Sequence, residues 1–115
     1  MNLVGLAYTQ HPRPPQRELR QRGVFDSGGN LIGHVENVYV DEERTFQFVD
    51  VARGGFMGLG TKHRLVPVEA IAEEDPGSVT LTIDRQTVQS APKLAHPHTA
   101  PDKALQRAAR EHCKG

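Results

Sequence analysis

Gly54-Gly55-Phe56-Met57-Gly58-Leu59-Gly60-Thr61-Lys62-His63-Arg64-Leu65-Val66-Pro67-Val68 reads first as a phosphate-binding loop, and its chemistry then refuses that reading. Gly55 and Gly60 have the separation of the P-loop pattern, but Thr61 and Lys62 come after them in reverse order. A P-loop needs its Lys directly after the second glycine to reach the terminal phosphates, and a hydroxyl after that to hold magnesium. It also needs a helix behind it, whose first amides complete the cradle. The residues from Arg64 to Val68 are instead a β-type run, and Pro67 is unsuited to a helix interior. The stretch is a glycine-hinged turn between two strands, carrying Phe56, Met57 and Leu59.

On either side of that turn the chain is a succession of short strands. Upstream, Phe46, Phe48 and Asp50 alternate with Gln47, Val49 and Val51, so both faces of this strand are largely apolar. A strand covered on both sides is implied, by the domain interior on one and by something else on the other. Further upstream, Asp26-Ser27-Gly28-Gly29-Asn30 is a dense turn cluster. Leu31 to Val40 comes next, and its alternation breaks between Ile32 and Val35 with Gly33 inside the break. A bulge or sharp bend at Gly33 restores the inward face. Asp41-Glu42-Glu43-Arg44 is the next turn. Downstream, Pro67 places the end of its strand at an edge, Val68 to Ile71 makes one helical turn, and Asp75-Pro76-Gly77-Ser78 is a tight turn. Val79, Leu81 and Ile83 then alternate with Thr80, Thr82 and Asp84, a half-buried strand, and Val88 to Leu94 closes the domain.

The ends differ from this body. His11-Pro12-Arg13-Pro14-Pro15 excludes regular structure, so residues 1–21 read as an arm, disordered or docked. Residues 95–115 offer one helix, with Thr99 as N-cap, Pro101 in the first turn, and a narrow stripe of Ala104, Leu105, Ala108 and Ala109. That stripe is too small to stand alone in water and has to dock. Residues 22–94 are the domain between them.

At 115 residues, with 37% hydrophobic and 24% charged residues, the chain suffices for one small core and is too apolar for wholesale disorder. No apolar run reaches the ~20 residues of a membrane span, and the first residues lack the basic region of a secretion signal. A single cysteine, Cys113, excludes an internal disulfide and fits a reducing compartment. A cytoplasmic location without membrane insertion is the expectation. The zero net charge is unevenly laid out: residues 1–22 are net +3, residues 26–84 net −7 and residues 85–115 net +4. Basic ends lying on an acidic body, or on a neighbour's, account for this better than nucleic acid does, because the acidic body repels phosphate.

Gly28 to Asp41, Gly54 to Ile71, Leu81 to Asp84 and Ala91-Pro92, taken in order, resemble the PRC-barrel family, closest to its stand-alone bacterial members. Family members include the cytoplasmic part of the photosynthetic reaction-centre H subunit and the C-terminal part of a bacterial ribosome-maturation factor. The resemblance covers about residues 22–94. It implies an all-β fold, a small, strongly bent antiparallel β-barrel, with no catalytic residues held in common and function by docking on other macromolecules or on itself. The membrane helix of the one relative and the N-terminal domain of the other are not matched here, so neither function carries over intact.

No catalytic, cofactor or metal site is expected. His96-Pro97-His98 and His112-Cys113 lack the spaced second half of a zinc site. Cys113 lies near an end expected to fray, without the fixed electropositive setting of a reactive thiol. The clusters Asp41-Glu42-Glu43 and Glu73-Glu74-Asp75 read as solvated turns. Three candidate surfaces remain. Phe56, Met57 and Leu59, with His63 and Arg64 beside them, form either core or a contact patch with a polar rim. Phe46, Phe48, Val49 and Val51 form a candidate dimer strand, which makes a homodimer the leading expectation beside an unidentified protein partner. Arg13, Arg17, Arg20 and Arg22 form a candidate basic arm for an RNA- or ribosome-associated alternative, which lacks the aromatic residues of sequence-specific RNA readers.

Overall fold

The computed structural model describes residues 3–5, 22–54, 61–94 and 100–114. Its strands are β1 (Val4–Gly5), β2 (Gly23–Phe25), β3 (Leu31–Val40), β4 (Phe46–Arg53), β5 (Lys62–Pro67), β6 (Ile71–Asp75) and β7 (Ser78–Leu81). A 3-10 turn over Val68–Ala70 separates β5 from β6, and two helices come after β7, α1 (Arg85–Gln89) and α2 (Lys103–His112). The strands form one sheet in the order β5-β4-β3-β2-β7-β6, curled into a half-barrel, with β1 on β3. β4 takes one edge of β3; β2 and β1 share the other, β1 by Val4↔Val40 and Gly5↔Tyr39. The expected bent β-barrel is therefore present, and the start of the N-terminal arm is docked on it. One pairing differs from a wholly antiparallel sheet: β2 runs parallel to β7.

Local sequence explains the turns. Asp41 closes the β3–β4 hairpin, its Oδ1 accepting from Glu43 N at 2.9 Å and Thr45 N at 3.0 Å. The amides that bond to it hold its carboxyl below the usual range, Thr45 foremost. Pro76-Gly77 joins β6 to β7, with Gly77 at φ 88°, as the second central residue of a type II turn requires. Asp26 accepts from Gly28 N, Asn30 N and, across the fold, Arg85 N.

The bend in β3 is built differently from the expectation at Gly33. Register shifts leave Ile32 unopposed on the β2 side and Glu36 unopposed on the β4 side, while Gly33 pairs with Val24. Positive φ is confined among the described residues to Gly29, Arg44, Gly54 and Gly77, so Gly33 needs no special backbone conformation. It needs space. A Cβ placed there falls 2.3 Å from the carbonyl oxygen of Ala52 on β4.

Two apolar clusters lie on the two faces of the sheet. Inside, Val24, Ile32, Val35, Val38, Val49, Val51, Val66, Val79 and Leu81 fill the half-barrel. Outside, Tyr39, Phe48 and Leu65 pack with Leu3, Leu94, Leu105 and Ala109. Here the dimer strand expected at Phe46, Phe48, Val49 and Val51 requires correction. Phe48, Val49 and Val51 are at most 1% exposed within a single chain, and Phe46 packs on the inner cluster. The second face of β4 is covered by α2 and the N-terminal segment rather than by another copy. Arg110 completes that cover, its guanidinium 4.5 Å from the centre of the Phe48 ring.

The helix of the tail also differs in detail. Asp102, not Thr99, is the N-cap, accepting from Leu105 N at 2.8 Å, and Thr99 lies outside the described residues. Leu105, Gln106, Ala109 and Cys113 face inward, while Ala104 and Ala108 are exposed. Cys113 is thus docked rather than frayed, and burial pushes its thiol up to about 11. No helix among the described residues is long and apolar enough to cross a membrane.

Candidate functional site

Strand parity builds a basic mouth at one end of the half-barrel. On β4, Val51 faces the interior, and so does Arg53 two residues on. On β5, Lys62 and Arg64 precede the buried Val66 on the same face. The β4–β5 register sets Arg53 directly opposite Lys62, and Val51 opposite Arg64. Ile32 supplies the β3 wall. The fourth side is α1, where Arg85, Val88 and Gln89 fall at i, i+3 and i+4 on one helical face. Val66 apart, these eight residues line a cleft of about 300 Å³.

Each part of the cleft is held in place. Asp84 caps α1, its Oδ1 accepting from Thr87 N at 2.8 Å and from the Thr87 hydroxyl at 2.7 Å. Those bonds hold the Asp84 carboxyl below its usual range. Asp26 Oδ2 accepts from Arg85 N at 3.0 Å, tying the helix to the β2–β3 turn. The amides of Asn30, Arg85 and Gly28 also keep the Asp26 carboxyl ionised to lower pH, the Asn30 bond foremost. Arg64 Nη1 donates to Ala91 O at 2.9 Å, fixing one end of its guanidinium and leaving the rest toward the cleft. Ile32, Val51 and Val88 form an apolar wall, each at most 5% exposed. Arg53, Lys62 and Arg85 are exposed, and among the described residues no carboxylate lines the cleft.

His63 and Arg64, expected to rim one patch, point to opposite faces. Arg64 belongs to the mouth. His63 Nδ1 lies 2.8 Å from Oδ2 of Asp50, whose side chain is fully buried on the outer face. Burial outweighs the His63 contact and pushes the Asp50 carboxyl up to about 6. Oδ1 of Asp50 has no hydrogen-bond partner among the described residues. His34 and Glu36 pair at 2.7 Å on β3. No three His, Cys, Asp or Glu side chains among the described residues converge as metal ligands. His112 donates from Nε2 to Thr87 O at 2.8 Å, while its neighbour Cys113 is buried, so the two do not act as a ligand pair. Phe56, Met57, Leu59, His96 and His98 lie outside the described residues.

Arg13, Arg17 and Arg20 also lie outside them. Arg22 is described and is not a free phosphate contact: its side chain is 13% exposed and sits 3.8 Å from Glu74. An acidic body between basic ends, as the net charges suggest, hides the mouth. Of the four bases between residues 26 and 84, three converge there, and Arg85 joins them from α1. The signal is present in the parity of Val51 with Arg53 and of Lys62 with Arg64. Arg85 gives no such signal, because its place depends on a helix that the strand alternation before it conceals.

Residues 15–88, well over half of the chain, match the PRC-barrel domain. None of the curated proteins compared matches the chain.

Proposed function

This chain belongs to the PRC-barrel family, a family of protein-interaction modules, and on that footing we propose that it acts without catalysis, docking an acidic partner protein at its basic mouth. The observation that carries the reading is the convergence of Arg53, Lys62, Arg64 and Arg85 on one cleft, with no carboxylate among its described lining residues. A single-sign cleft with low-dielectric walls concentrates field and draws the opposite charge. The test is the double reversal Arg53→Glu with Lys62→Glu, used as bait beside the parent chain in an extract of its native cells. Proteins held by the parent at low salt and released by salt are expected to be missing from the variant. The same proteins on both baits refute docking at the mouth.

Self-association is supported by a second observation. The acidic residues Asp41 and Glu43 lie at the far end of the same β3–β4 hairpin that carries Arg53. One copy therefore presents a charge complement to the next. Light scattering at micromolar concentration is expected to show association at low salt that dissolves at high salt. A monomer under both conditions removes this reading. Of the arm on which the RNA-associated alternative rests, Arg22 alone is described, and it is engaged with Glu74.

A further inference from the structure

The mouth has features that docking on a flat acidic surface does not require. Arg53 and Lys62 are direct cross-strand partners, and like charges in that position oppose folding. A partner in place would offset this, yet among the described residues no acceptor is bonded to the side chains of Arg53, Lys62 or Arg85. The fourth cation, Arg64, is pre-oriented by Ala91 O, so part of its ordering is complete before anything binds. The cleft is concave and about 300 Å³, at the small end of ligand pockets. Its wall is aliphatic, from Ile32, Val51 and Val88, and no aromatic ring lines it among the described residues.

We propose that the mouth is a binding site for a small organic phosphate: a dianionic head held between Arg53, Lys62, Arg64 and Arg85, and a short aliphatic body against Ile32 and Val88. Four cations with no carboxylate among the described lining residues match a dianion better than a monoanion. Arg64 presents paired N–H donors suited to phosphate oxygens, and Lys62 acts as a point charge beside them. Ile32 and Val88 are themselves at most 5% exposed, so the body leaves water chiefly against the methylene stems of Arg53, Lys62 and Arg85 that line the cleft beside them.

This inference rests on the same open mouth as the docking reading, and its test separates the two. The full chain is titrated with inorganic phosphate, n-butyl phosphate and n-butanol, monitored by amide NMR shifts. Butyl phosphate is expected to shift the amides of Val51, Arg53, Arg64, Val88 and Gln89. Each buried methylene is worth about fourfold in affinity, so butyl phosphate should bind at least about tenfold tighter than inorganic phosphate, and butanol should not bind. Lys62→Met with Arg85→Met, both exposed and outside the core, should weaken butyl phosphate at least about tenfold at an unchanged melting temperature. Equal affinity for the two phosphates, retention of binding by the double variant, or shifts centred on α2 each overturn the proposal. Should butyl phosphate fail while Arg53→Glu with Lys62→Glu still abolishes partner capture, the ligand pocket falls and the docking surface stands.

Discussion

Gly33 has no room for a side chain, and replacing it with alanine isolates the reason. The added Cβ lies 2.3 Å from Ala52 O and 3.2 Å from Ala52 C, whereas real Cβ atoms essentially never come under 3.0 Å. Relief needs about 1 Å of separation between β3 and β4 to reach ordinary contact. Both atoms in conflict are tied to backbone. Ala52 is also paired with His63 on β5, so β4 cannot retreat without carrying the next strand. Overpacking of this kind costs about 1–3 kcal/mol. With a urea slope of about 2 kcal/mol per molar, the midpoint should fall by about 0.5–1.5 M. Gly33→Val should cost at least as much. Gly29→Ala is the control for backbone conformation alone, because Gly29 sits at φ 83° with nothing within 4 Å of an added Cβ. It should cost about 1 kcal/mol through strain at positive φ. Urea unfolding of the three variants beside the parent reads all of this. A Gly33→Ala midpoint equal to the parent's would mean that β3 and β4 do not approach in the His34↔Ala52 register, and the bend would have to be rebuilt.

The Asp50 carboxyl, raised from 3.8 to about 6 in the fold, favours the folded state when protonated. Its contribution is fully present below about pH 4 and is lost as pH rises through about 6, opposite to an ordinary carboxylate, for a change of about 3 kcal/mol. Asp50→Asn should remove that falling limb from a plot of stability against pH, and an unchanged profile refutes the burial of Asp50. Cys113, docked with its thiol raised to about 11, should resist a thiol reagent at pH 8 and react at the rate of unfolding. Rapid stoichiometric labelling in buffer would show α2 undocked. Arg110→Ala loses both the Phe48 ring contact and a 2.6 Å bond to Gln47 Oε1, and should cost about 1–2 kcal/mol in the same urea assay. No loss there would mean the outer face of β4 is covered by something other than α2.

Those tests fall on features of unequal legibility. The hairpin turns are readable in the sequence because Asp41, Pro76 and Gly77 act through their own neighbours. The barrel interior is readable because Val79, Leu81 and Ile83 alternate. The outer cover of β4 is not. It depends on where residues 103–113 return in space, and on Gln106, a polar residue buried because its amide donates to Pro101 O at 3.0 Å. A pattern that admits only apolar residues therefore chooses Ala104 and Ala108, which are exposed, over Gln106 and Cys113. The helix α1 escapes because Thr82 and Asp84 continue the alternation of β7, although Asp84 three residues before Thr87 is also a cap signal. The mouth is half legible: two of its bases come from strand parity, but the approach of Arg85 depends on α1 and the Asp26 bond.

The parallel junction between β2 and β7 fixes the order in which this chain must assemble. β3, β4 and β5 are joined by local connections and can zip as a unit, whereas residue 23 meets residue 78 only after the intervening chain is in place. Loop closure of that length is an entropic cost without compensation until the seam is made. The seam is therefore the late step of folding, and mutations along Val24 and Val79 should speed unfolding while leaving the folding rate almost unchanged. The bonds from Arg85 N to Asp26 and from Ser27 N to Ile83 O carry the same closure past the strands, so α1 takes its place only when the β2–β3 turn meets the chain that leaves β7. The mouth is therefore completed last, because Arg85 joins Arg53 and Lys62 only once that closure is made.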